Sequence, residues 1–138
     1  MRCVLMLSTL LLAGCHTPDF DPSRARGAYP YELHSTDTIP VEVFRDGTDI
    51  TVVNSTARSW QAATMWINQR FSAPMPSLQA GQSIVMNLNA FYDDLGVTYP
   101  AGGLFATRRP MPVRLVEIQA QDEAPLIGLI AIRQTDSQ

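Results

Sequence analysis

The chain has 138 residues, with 13 acidic side chains against 10 basic ones and a formal net charge of −3. That balance lacks the concentrated positive charge by which proteins hold nucleic acid, so a nucleic-acid partner is not expected. All ten basic residues are arginine, a usage that suits bidentate contacts but follows equally from a GC-rich genome.

Arg2 is followed by an almost unbroken apolar run, Val4 to Leu12, and then by Leu12-Ala13-Gly14-Cys15. Positive start, apolar core and small-residue boundary, in that order, mark a secretory signal peptide. The run is too short to span a bilayer, which takes about 20 residues of helix. Its ending, Leu12, Ala13, Gly14 and Cys15, resembles the lipobox of bacterial lipoproteins. The resemblance implies cleavage before Cys15, diacylation of its sulfur with chains such as palmitate, and acylation of the new amino terminus. It places the protein in the cell envelope, facing the periplasm or surface, with the membrane as a partner through the lipid anchor. His16 stands where aspartate commonly signals inner-membrane retention in enteric bacteria, so the resemblance leans toward the outer membrane. The alternative is an ordinary signal peptide with Cys15 near its boundary by chance.

Cleavage after residue 14 leaves 124 residues, enough for one modest domain. Cys3 leaves with the signal peptide, and lipid occupies the sulfur of Cys15. No disulfide, thiolate nucleophile or cysteine metal site is then expected, and stability must come from apolar burial and backbone pairing. Residues 15–37 carry Pro18, Pro22 and Pro30 among Asp, Ser, Arg and Gly, without periodicity. They read as a polar tether, whose Tyr29 and Tyr31 are able to dock on the domain that follows.

Residues 38–138 read as short strands separated by turns. Val41 and Val43 alternate with polar residues up to the Asp46-Gly47 turn. Ile50 to Val53 is β-branched and stops at Asn54-Ser55-Thr56. Trp60 to Phe71 is a long segment with a bend at Asn68-Gln69, and Ser83 to Leu88 places Ile84, Met86 and Leu88 on one face. Val97 to Tyr99 is short, 100–112 is a long loop, and Val113 to Ala120 and Leu126 to Ile132 are the last strands. About seven strands at this spacing predict an all-β domain, with an Ig-like or fibronectin-like β-sandwich as the natural architecture. The expected core is Val41, Val43, Ile50, Val52, Met65, Ile67, Ile84, Met86, Leu88, Val113, Leu115, Leu126, Ile130 and Ile132. In the last two strands Val116 with Ile118, and Ile127 with Leu129, offer the opposite face.

Trp60 and Trp66 are the sharpest local signal. Six residues apart in a regular strand, they share a face, and Trp66 standing outward would anchor a partner such as an envelope protein. The competing reading covers that strand on both sides or lays Trp66 against Tyr29 or Tyr31. Asp46, Asp49, Asp93 and Asp94 lack the converging oxygen set that calcium needs and read as turn caps. His16 and His34 show no evident partner, and no serine elbow or phosphate loop is present. No metal, cofactor or catalysis is expected. Asn54-Ser55-Thr56 with Trp60, then Ala101-Gly102-Gly103, then Arg109-Pro110 resemble in order the three inhibitory loops of chagasin-like inhibitors of papain-type cysteine peptidases. The first lacks the Asn-Pro-Thr-Thr-Gly pattern, and the third has Met111 in place of an aromatic. The leading expectation is a lipid-anchored binding or structural β-module; the resemblance implies, as the alternative, an envelope peptidase inhibitor.

Overall fold

Alternation drives the first hairpin. Val41 and Val43 point inward from Thr38–Asp46 (β1), Ile50 and Val52 from Asp49–Asn54 (β2), and all four are buried. A computed structural model describes residues 20–132, so the expected signal peptide and lipobox lie outside the described residues. Ala63–Ile67 (β3) and Phe71–Met75 (β4) form a second hairpin. Its connection is Asn68-Gln69-Arg70, closed by Arg70 N–H donating to Ile67 C=O at 3.2 Å, and Asn68 and Gln69 both have positive φ, 53° and 55°. Ser83–Asn87 (β5), Val116–Gln119 (β6) and Ile127–Ile132 (β7) complete the strands.

The seven strands form one mixed sheet in the order β4-β3-β6-β7-β1-β2-β5. β1 and β7 run parallel; every other pair is antiparallel. The parallel register slips between Thr38 and Glu42, where Pro40 has no N–H to give to the ladder. Pro74 is tolerated in β4 because that strand ends the order. Single bridges continue past β4, from Ser72 to Tyr92, Tyr92 to Thr98 and Val97 to Phe20, and the sheet curls until it nearly closes into a barrel. The interior is filled by the inward strand residues together with Leu78, Leu88, Phe91 and Tyr99.

The all-β expectation of about seven strands holds, and among the described residues the only helical pieces are three 3₁₀ turns. The Ig-like sandwich is not confirmed: β7 pairs with β1 and so joins, in one sheet, strands that a sandwich would divide between two. Two core expectations are corrected. Ile130 and Ile132 are 40% and 36% exposed, while Leu129 of the same strand is buried, so β7 presents the opposite parity to the barrel. Val113 and Leu115 lie before β6 and are only half-buried.

The stretch expected as tether differs most. From Phe20 to Asp37 the chain runs along the barrel. Asp21 N–H donates to Gly96 C=O (3.1 Å), Arg26 N–H to Asp93 C=O (3.0 Å) and Leu126 N–H to Leu33 C=O (2.9 Å), while Asp37 C=O accepts from Gly128 N–H (2.8 Å). Gly96 has φ +80°, and a Cβ there would collide with the Asp21 carbonyl, so the close approach requires glycine. The folded body therefore begins by Phe20.

Candidate functional site

Two places gather chemistry. The first lies on the outer face of the sheet under the N-terminal segment. β6 is buried at all four positions, so Val116 and Ile118 fill the barrel while Glu117 and Gln119 face outward and are covered. Glu117 is fully buried. A buried carboxylate is costly unless donors surround it. Tyr29 O–H donates to its two oxygens at 2.8 and 3.0 Å, and His34 Nδ1 lies 2.8 Å from Oε1. A proton on Nδ1 makes His34 the second donor to the carboxylate. Burial, followed by the hydrogen bond to Glu117, pushes the Tyr29 phenol well above its ordinary value.

Trp66 completes this cluster. It is 5% exposed, its Nε1–H donates to Gln119 Oε1 at 3.2 Å, and the Tyr29 ring meets it edge-on at 5.4 Å and 89°. Tyr29, Trp66 and Leu126, with Leu33, form an apolar cluster separate from the barrel core. The arrangement holds one buried charge with two donors and so pins residues 29–34 to the sheet.

The second place is the barrel end that carries the β1–β2 and β3–β4 turns. Asn68 Nδ2 donates to Pro112 C=O (2.9 Å), and its Oδ1 accepts from Arg114 N–H (2.9 Å) and Leu115 N–H (3.2 Å). Arg45 donates to Gly47, Ala101 and Met111 carbonyls at 2.9, 2.6 and 2.5 Å. One guanidinium thus ties the long loop to the β1–β2 turn. Tyr99 O–H donates to Met111 C=O at 2.7 Å, and burial pushes its phenol up against the pull of Arg45. A cavity of about 590 Å³ opens here, lined by Val43, Thr48, Pro110, Val113 and Ala131 among others. Beyond it, Ala106 N–H donates to Gly103 C=O at 3.1 Å and closes a turn with Leu104 and Phe105 at its centre. Both side chains are 92% exposed.

The residues singled out in the sequence fare unevenly. Leu12, Ala13, Gly14 and Cys15 lie outside the described residues. Trp60 and Trp66 are corrected as partner contacts: both are buried, so neither offers a ring to a partner. They do not share a surface either. Trp60 belongs to the barrel core and pairs singly with Leu78, because the strand starts only at Ala63 and the chain bends between them. Its Nε1–H has no hydrogen-bond partner among the described residues, and Arg58 stacks on the ring at 5.4 Å. Trp66 lies against Tyr29, one of the two arrangements weighed for it.

Asp93 is a turn cap, as read from sequence: its Oδ1 accepts from Leu95 N–H (3.0 Å) and Val97 N–H (2.8 Å), and Arg70 binds Oδ2 at 2.7 Å. Burial alone would push its carboxyl up; Arg70 and the backbone N–H groups outweigh this and hold it below the ordinary range. His34, taken to have no partner, has Glu117, which sequence reasoning missed. The signal was a carboxylate flanked by Val116 and Ile118.

The three chagasin-like loops do not converge. Ala101-Gly102-Gly103 and Arg109-Pro110-Met111 sit together, with Met111 N–H donating to Pro100 C=O at 2.8 Å, and both stand beside the β1–β2 turn. Asn54 lies at the other end of β2, bound to Arg58 and Gln79 carbonyls. Six residues of strand separate the two ends by roughly 20 Å. Among the described residues no three His, Cys, Asp or Glu side chains gather where a metal ion could sit, and no helix is long and apolar enough to cross a membrane. Family models, curated proteins and solved structures give no match to this chain.

Proposed function

We propose that this protein is a lipid-anchored cell-envelope lipoprotein whose β domain is a binding or structural module rather than an enzyme. The observation that carries the reading is the order of Arg2, the apolar run to Leu12 and the junction Leu12-Ala13-Gly14-Cys15. The route of the chain supports it. The segment from Phe20 is laid on the barrel by backbone hydrogen bonds and by Tyr29, which suits a body held close to its anchor. The partner is an envelope protein or another envelope component, and neither reading of it requires a fibronectin-like pair of sheets. His16, where the resemblance would put aspartate for inner-membrane retention, leans the reading toward the outer membrane.

Replacing Cys15 with Ser tests the anchor. The wild-type chain takes up labelled palmitate and fractionates with the envelope, and the variant loses both. A variant still membrane-bound, beside a wild type without label, overturns it. Crosslinking in intact cells identifies the component met by the domain. Turnover of any substrate by the purified protein, abolished by a single polar substitution, overturns the non-enzymatic part.

A further inference from the structure

Four exposed apolar side chains, Phe20, Leu95, Leu104 and Phe105, lie where the long loop meets the start of the described chain, and the last two are the most exposed. Leu104 and Phe105 occupy the middle of a tight turn, which presents both side chains outward on a convex tip. Gly102 and Gly103, at φ +88° and +116°, let the chain leave the barrel for that turn. A cavity of about 380 Å³ beneath the tip is lined by Leu104, Phe105, Thr48 and Thr98 among others. Thr98 follows Val97, the residue that pairs with Phe20. Phe20 and Leu95 are themselves 47% and 61% exposed, and Asp21 N–H is bound to the Gly96 carbonyl beside Leu95. The described chain thus begins on the same side as the apolar tip.

From Leu95 to Val116 the sequence has Arg108, Arg109 and Arg114 and no carboxylate, although the chain as a whole is acidic. Carboxylates stand at this end too: Asp94 is beside Leu95, and Asp21, next to Phe20, pairs with Arg24 at 3.1 Å. Asp93 is neutralised by Arg70, Asp49 accepts from Asn87, and Asp46 and Asp94 are exposed.

We infer that this end of the barrel rests on the bilayer that holds Cys15, with Leu104 and Phe105 inserted among the headgroups and Arg109 at a lipid phosphate. The inference rests on the lipoprotein reading. Cys15 and Phe20 are five residues apart, a reach of at most about 18 Å, so the anchor holds the Phe20 side of the barrel within that distance of the bilayer. A convex apolar turn flanked by guanidinium groups fits a fluid anionic interface, where apolar side chains enter the headgroup boundary and cations stay at its surface. The anchor supplies the affinity; the finger supplies orientation, turning the opposite end of the barrel, with the 54–62 and 76–82 loops, toward the compartment.

The test uses the full chain purified from bacterial membranes and reconstituted in vesicles of phosphatidylethanolamine and phosphatidylglycerol with brominated acyl chains. In Phe105→Trp the new indole sits on an exposed tip, and the native Trp60 and Trp66 are a buried background. Near-ultraviolet circular dichroism checks that the fold is kept. The emission of the added indole is expected to fall at least about twofold relative to unbrominated vesicles, as insertion by ~5–10 Å requires. Arg109→Glu in the same background is expected to reduce that quenching. Anchored, lipid-bearing protein in which the added indole is not quenched overturns the finger and leaves the anchor standing. Protein that carries no lipid and stays soluble overturns both. A photo-crosslinker at position 104 that captures one protein in intact cells, rather than lipid, assigns the tip to that protein and overturns the membrane contact.

Discussion

Replacing Tyr29 with Phe removes one hydroxyl and leaves the aromatic ring against Trp66. In the native fold that hydroxyl donates to both oxygens of the fully buried Glu117, at 2.8 and 3.0 Å, and the second donor is His34 Nδ1 at 2.8 Å. A hydrogen bond to a charged buried group contributes about 1.5–3 kcal/mol. With His34 still in place, the variant is expected to lose about 2 kcal/mol, because one donor alone serves the carboxylate. For a folded body of roughly 110 residues this corresponds to about 8 °C in Tm, read by circular dichroism at neutral pH. A second reading comes from alkaline pH. The folded Tyr29 phenol is held above its ordinary value of 10.0 by burial and by Glu117, so between the two values the unfolded chain releases the proton that the folded chain keeps. Stability from this group is complete below pH 10 and declines as pH rises toward the raised value. The Phe variant lacks that part of the decline. A Tm change under about 2 °C, with an unaltered alkaline slope, would refute the assignment of Tyr29 as the principal donor to Glu117.

Three further outcomes follow from the same geometry. Asp93→Asn is expected to cost about 2 kcal/mol at neutral pH, discounted because Arg70 is half-exposed. The native carboxyl is held low, so its contribution is present above the ordinary value of 3.8 and lost as pH falls through the lowered one; the variant shows a flatter acid limb in urea melts, and an unchanged limb counts against it. Asn68→Ala removes the acceptor of Arg114 and Leu115 N–H and puts alanine at a left-handed position, for a loss of about 2–3 kcal/mol. Amide exchange at Arg114 and Leu115 should rise well before the barrel core exchanges, and protection equal to wild type contradicts it. Gly96→Ala is expected to detach the Phe20–Arg26 stretch, since its Cβ collides with Asp21. Trypsin then cuts at Arg24 and Arg26 faster than in wild type, while equal cutting rates mean that the approach is relieved elsewhere.

Much of the strand content was legible because side-chain parity is a local property. Val41, Val43, Ile50, Val52, Met65, Ile67, Met86 and Leu88 were assigned inward by alternation, and all are buried. Where a strand is covered on both sides, parity loses its meaning. β6 is buried at every position, so Glu117 could not be distinguished from a surface carboxylate in sequence, nor Trp66 from an exposed anchor. Only the fold brings Tyr29 and His34 across 88 and 83 residues of chain to Glu117. The same limit applies to the segment 20–37. Its composition describes a chain poor in apolar residues, which is how a tether reads, yet Tyr29 and Leu33 suffice once a sheet with Trp66 and Leu126 is there to receive them.

The sequence by itself determined the all-β character, the turns at Gly47 and Asn68-Gln69, and the local pattern that motivates an anchored envelope protein, because each depends on residues near one another in the chain. The tertiary structure decided that one mixed sheet curls toward closure, that the N-terminal segment belongs to the folded body, and that Leu104 and Phe105 stand at the end where the described chain begins. Those depend on which distant strands pair. The parallel contact of β7 with β1 is a long-range event whose hydrogen bonds are made by backbone atoms that every residue carries, so no side-chain pattern announces it.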